Sequence, residues 1–343
     1  MSTVKSLVLV AALVCASTGL ALGEGAPGGE ATRSLFNLGA LPGPFMAGTD
    51  DSAAAADAPA AAPAKGPPLP IHNIEGVGGM AITPMAYLVN PGPKGTQIGM
   101  PSFSFTHVQA GSKTVQSFAI TQTFFRRFEF GYCLSRHGIA GLRGAIEKAT
   151  GIDIQRADTY LHNFNVRMLL LEENSCDLPL PAVTAGLHIK YCHGVRKIDD
   201  RLGGILDGLG FEKSNGLDFT LTATKMFPTL AFGRPVIGTL GMRLSRAAHI
   251  GYLGFGDDTE VSIEGSVVCL VTDWLALGYE FRQKQHQYNR LEHLEGKEDD
   301  WHMFSVGWII NNHMTLAAGI GSLGTLHNSH ADPAFAVQFK CEL

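Results

Sequence analysis

Residues 335–343 read FAVQFKCEL, and the reading of this stretch decides the architecture. Phe335, Val337, Phe339, Cys341 and Leu343 fall on one side of an extended chain. Ala336, Gln338, Lys340 and Glu342 fall on the other, because strand side chains alternate faces. One apolar and one polar face suit either a half-buried strand of a sandwich or a barrel wall between lipid and water. The rest of the chain chooses between them.

Composition narrows the choice. Charged residues make up 17% of the 343 positions, against about 25% in ordinary soluble domains. The 41 glycines exceed the usual share of about 7% and suit crowded sheet walls with many turns. A net charge of −5 leaves no basic footprint for nucleic acid. Residues 1–23 read as a cleaved signal peptide: Lys5, an apolar run from Leu7 to Val14, then small residues up to Ala21-Leu22-Gly23. Residues 24–68, with DDSAAAADAPAAAPAKGPPLP at their extreme, are Ala-, Gly- and Pro-rich and read as a disordered leader. No later stretch reaches the roughly 18 apolar residues of a spanning helix, so any entry into a membrane would use a closed barrel. Cys133, Cys176, Cys192, Cys269 and Cys341 are odd in number and widely spaced, which makes neither a disulfide framework nor a zinc motif.

Residues 69–343 carry the alternating texture of an all-β antiparallel transmembrane barrel. In LALGYEFR, Leu275, Leu277, Tyr279 and Phe281 oppose Ala276, Gly278, Glu280 and Arg282. Thirteen such segments can be marked, starting with 79–89 and 97–108 and ending with 334–343. Short links follow Phe124, Phe227, Val271 and Ile310, and longer ones lie between them. Outer-membrane barrels sort their tight turns and long loops in this way. Placing both ends of the wall on the short-turn side requires one more strand at the front, and 69–75 supplies it. The expectation is therefore about fourteen strands, with twelve as the fallback if the N-terminal segments do not close the wall. Two long loops carry helical spacing, Ile139, Leu142, Ile146 and Ala149 in 139–150 and Ile198, Leu202, Ile205 and Leu209 in 198–211. Short helices over the rim are the expectation there, in preference to a plug in the lumen.

IEGVGG followed by ITPMA, then ATKMF, LGFGDD, YEFRQK and EDDW in that order, resembles an uncharacterised family of bacterial outer-membrane β-barrels, domain of unknown function 3034. The similarity runs from about Ile74 to the end. It implies a porin-like barrel in the cell outer membrane of a Gram-negative bacterium, and it brings no activity, cofactor or catalytic residue with it. The long Ala/Pro leader, the helical insertions and a final Leu343 in place of the usual Phe depart from the pattern. Within that resemblance, Phe335, Val337, Phe339, Cys341 and Leu343 read as the closing strand and the signal for the barrel-assembly machinery. Outer-membrane lipid and lipopolysaccharide are the remaining partners, with the oligomeric state left open.

The polar faces carry the functional candidates: Arg167, His188, Lys190, Arg243, Glu264, Glu280, Arg282 and Lys340. They are expected to line the lumen and face water, where opposite charges pair across strands and set a field that selects solutes. The function this favours is passive diffusion of small hydrophilic solutes, without enzymatic chemistry. The alternative is a closed or plugged barrel serving a structural or export role, such as polysaccharide secretion. Ser262 and Ser266 flank Glu264, yet no histidine can be placed beside them to complete a hydrolase site. His286, His293 and His302, among Glu292, Glu295, Glu298, Asp299 and Asp300, lack zinc-ligand spacing, so no metal site is assigned.

Overall fold

The computed structural model describes residues 71–289, 291 and 294–343. The stretches read as signal peptide and leader, 1–23 and 24–68, lie outside them. Twelve antiparallel strands form the wall: β1 (Ser102–Ala110), β2 (Lys113–Phe124), β3 (Phe128–Gly138), β4 (Asp158–Leu171), β5 (Ala182–His193), β6 (Asn215–Ala231), β7 (Arg234–Ala247), β8 (Phe255–Leu270), β9 (Leu275–Arg282), β10 (Trp301–Ile309), β11 (Met314–Ser322) and β12 (Ala334–Glu342). Each strand pairs with its neighbour in sequence, and β12 returns to β1 through Ala334↔Ala110 to Glu342↔Ser102, so the barrel is closed.

The wall has twelve strands, not fourteen. Residues 71–75 and 79–89, both assigned to the wall on sequence, lie inside the barrel, where Ile71–His72 pair with Gly78–Gly79 and Gly79 also bridges to Pro84, with no ladder to a wall strand. The alternation of loop lengths required the strand count to change by one, and removing a strand satisfies it as well as adding one. With β1 at 102–110, tight links of two to four residues follow β2, β6, β8 and β10. The β4–β5 link is longer, and the β1–β2 turn is short despite lying at the long-loop end.

Side-chain alternation sorts the two environments. Phe105, Phe118, Phe164, Phe219, Val267, Phe304, Val337 and Phe339 all point outward and are exposed. A continuous apolar belt of this kind is foreign to a soluble monomer and fits lipid, whereas the neighbouring inward positions are polar and buried. On β12, Phe335, Val337, Phe339 and Leu343 are exposed and Cys341 is half-buried, while Ala336, Gln338, Lys340 and Glu342 are buried.

At the long-loop end the connections fold over the mouth. Helix α1 (Ala140–Thr150) buries Leu142 and Ile146 but leaves Ala149 exposed. The second helical stretch breaks in two, α2 (Val195–Arg201) and α3 (Ile205–Leu209). Gly203 and Gly204, at φ +71° and +85°, adopt the left-handed conformation that glycine takes without strain. The break turns Leu206 inward in place of Ile205. Ile139, Leu142, Ile146, Val195, Ile198, Leu202 and Phe211 then share one apolar cluster with Ile74 and Ile82 from inside the barrel. The helices therefore seal the mouth rather than edge it.

Candidate functional site: an ion-paired, plugged lumen

Residues 71–90 occupy the lumen and are almost entirely buried. This segment is rich in Gly and apolar residues, so its backbone has few side-chain partners of its own and must find them on the wall. Inward side chains of many strands meet that need. Asn163 and Asn165 on β4 each donate to the Glu75 carbonyl at 3.0 Å. Glu280 on β9 accepts from the backbone N–H groups of Ala81, Ile82 and Thr83 at 2.9, 2.8 and 2.8 Å, and from the Thr83 hydroxyl at 2.9 Å. Glu129 on β3 accepts from the Val89 N–H at 2.7 Å and pairs with Arg167 at 3.2 Å. Arg167 in turn donates to the carbonyls of Gly78 and Met85. Gln338 on β12 grips His72, accepting from its N–H at 3.2 Å and donating to its carbonyl at 2.6 Å. The His72 ring bridges Ser104 and Thr121 at 2.8 Å each.

Glu75 is the centre of the arrangement. Its carboxylate is fully buried and meets Lys190 at 2.6 Å, Arg282 at 2.8 Å and Arg243 at 2.9 Å. Asp218 on β6 binds Lys190 at 2.6 Å and Arg243 at 3.0 Å. Glu264 approaches Arg243 at 3.4 Å and Arg282 at 3.8 Å, its strand placed by the register Glu264↔Arg282 and Ser262↔Arg243. Three cations from the wall thus face two carboxylates from the wall and one from the plug. Without Glu75 the wall carries an unmatched positive charge in a place water does not reach, which is costly.

All eight residues picked from the sequence face inward and are buried. The expectation that they face water is corrected. Arg167, Lys190, Arg243, Glu280 and Arg282 bind the inner segment directly. His188 lies 3.5 Å from Asn163 Nδ2 beside the charge cluster, and Lys340 pairs with Glu342. Sequence reasoning missed the counter-charge, Glu75, because it treated 69–75 as wall. It also missed Asp218, Glu129, Asn163 and Asn165, which sit at inward positions of strands it had recognised.

A second polar cluster lies at the long-loop end. His249, in the β7–β8 connection, approaches Glu295 at 2.6 Å and Glu298 at 3.6 Å, while His327, in the β11–β12 connection, lies 3.7 Å from Glu295. Burial favours the neutral imidazole, yet the carboxylates of Glu298 and Glu295 hold His249 above its ordinary pKa. Burial and the charge of His249 push His327 down to about 4. Of the histidines and carboxylates between 286 and 302, Glu295 and Glu298 enter this cluster. His286 is exposed, His302 turns outward to the Tyr279 hydroxyl at 2.8 Å, and Glu292 and His293 lie outside the described residues.

Among solved structures, the barrel is similar to the KdgM porin, with 9% identity over 71% of this chain and 99% of that one and a TM-score of 0.44. It is similar to the Acinetobacter baumannii outer membrane protein Omp33, with 7% identity over 72% and 99% and a TM-score of 0.42. It is also similar to the Salmonella typhi outer membrane phospholipase (OMPLA) dimer with bound calcium, with 6% identity over 74% and 94% and a TM-score of 0.36. Porins and a phospholipase stand side by side here, so these likenesses assign no activity. No curated relative matches the chain. The model of a family described as "Protein of unknown function (DUF3034)" matches residues 70–337, which takes in the plug and nearly all of the wall, and the chain belongs to that family.

Proposed function

We propose that the protein is an outer-membrane channel held shut at rest by its own chain, residues 71–90, docked in the lumen. The observation that carries this reading is the Glu75 carboxylate, bound at 2.6–2.9 Å by three cations from three different wall strands. An open water-filled pore would leave such inward charges exposed, whereas Arg243, Glu264, Glu280 and Arg282 are between 0 and 3% exposed. Passive diffusion of small hydrophilic solutes then belongs to the state in which the segment has withdrawn and the three cations line the passage. The wall also carries Glu129, Asp218, Glu264 and Glu280 at inward positions, so cations and carboxylates share that lining. The reading includes no enzymatic step, and it places the chain in the outer membrane of a Gram-negative cell after removal of residues 1–23.

A closed barrel with a structural or export role is the second reading, favoured by the apolar cap over the mouth. Planar-bilayer conductance separates the two. The gated channel gives a silent wild type and steady conductance from a variant lacking residues 71–90. Heat-modifiable mobility on unboiled gels verifies that the variant has closed its wall. A folded but silent deletion variant would leave the structural barrel, and steady conductance from the wild type would refute the resting closure.

A further inference from the structure

The geometry points to a divalent transition-metal site of the zinc class at the long-loop end, formed by His249, Glu295 and His327. One ligand atom from each residue lies within 4.8 Å of the other two, and all three residues are buried, at 2%, 4% and 1% exposure. Two imidazoles and one carboxylate form a ligand set that zinc accepts, leaving a fourth position for water. Small side-chain adjustments, with the 2.6 Å contact between His249 and Glu295 opening, would bring the three donors to bonding distance of one ion.

Three further features fit an ion. The Nδ1 atom of His327 has no hydrogen-bond partner although the ring is buried, and a buried polar atom left unpaired is costly. Beyond each ligand stands a partner for the other ring nitrogen: with His249 Nε2 and His327 Nδ1 on the metal, His249 Nδ1 faces the Glu298 carboxylate at 3.6 Å. His327 Nε2 meets His137 Nε2 at 2.7 Å. Glu298 is itself fixed by Lys284 at 2.8 Å. Carboxylates that orient ligating histidines in this way are a regular part of metal sites. Finally, a cavity of about 30 Å³ adjoins the cluster, its lining shared between His137, His249 and His327 and apolar side chains such as Val108, Leu323 and Leu326, with the volume for one small ligand beside the three side chains. The ion would tie together the connections β7–β8, β9–β10 and β11–β12, which supply one ligand each.

The test uses the full mature barrel refolded in detergent, stripped with chelator and dialysed against zinc. Bound metal is read by elemental analysis, with cobalt as the spectroscopic stand-in. One tightly held zinc per barrel is expected, with cobalt giving the intense visible bands of a tetrahedral nitrogen and oxygen set. His249→Ala and His327→Ala should lose the ion while keeping heat-modifiable mobility, and His302→Ala should keep it. Glu298→Gln, which leaves all three ligands in place, should weaken binding by about 10–100-fold. If either ligand variant fails to fold, Glu298→Gln and the cobalt spectrum still decide. Folded wild type that takes up no zinc, or zinc uptake indifferent to His249, His327 and Glu298, would overturn the site.

Discussion

Glu75 shows how a single carboxylate can hold a segment in place. Removing one partner from a buried ion cluster costs about 3–5 kcal/mol, because the charges left behind stay out of water. Glu75→Gln should therefore lower the stability of the refolded barrel by an amount in that range, measured by urea titration. Unchanged stability would mean that Asp218 and Glu264 neutralise the three cations without help. Gly76, the next residue, tests close approach rather than charge. Its φ is +82°, and an added Cβ would fall 2.5 Å from the Cβ of Cys133 and 3.0 Å from that of Ala119. Gly76→Ala should cost more than about 1 kcal/mol and lift the segment from the wall. The change would appear as faster protease cleavage within residues 71–90 of otherwise intact barrels. Cleavage at the wild-type rate would show that the wall yields instead.

The strands were the most legible elements, because period-two alternation reports the two environments directly. The outward face of β2 is one such element, and it carries its own prediction. Phe118 lies mid-strand, 59% exposed, with its ring 4.8 Å from that of Phe105, whereas Phe232 projects fully from the β6–β7 turn. Phe118→Arg should cost about 2–4 kcal/mol in refolding titrations into lipid vesicles, and Phe232→Arg about 0–1. Equal costs would argue against a depth-dependent apolar surroundings for this wall. The inner segment was misread for a physical reason. Residues 79–89 are apolar because they are buried within the barrel, and apolar runs look alike whether they face lipid or a packed interior. The warning present in the sequence was Pro84, which cannot donate to a strand ladder, together with Gly76, Gly78 and Gly79 just before it. The eight inward polar residues were legible because each shares a face with the polar side of its strand. The His249, Glu295 and His327 cluster had no such signal, since its members lie in three separate connections that only the closed barrel brings together.

For the whole molecule, the wall, the apolar belt and the sealed mouth describe a membrane-spanning barrel filled by its own chain. Expressed in a Gram-negative cell, the mature protein should fractionate with the outer membrane and migrate differently on gels before and after boiling. Recovery in the soluble periplasm after high-salt washing would be incompatible with the lipid-facing belt. The grip of Gln338 on His72 spans 266 positions of sequence, and it bears on the order of events in time. Residues 71–90 leave the ribosome before the wall that receives them, while one of their clamps arrives with the final strand. Contacts so distant along the chain form late and slowly. The last of the inner segment's wall contacts therefore forms only once β12 lies beside β1, so complete docking requires a complete wall.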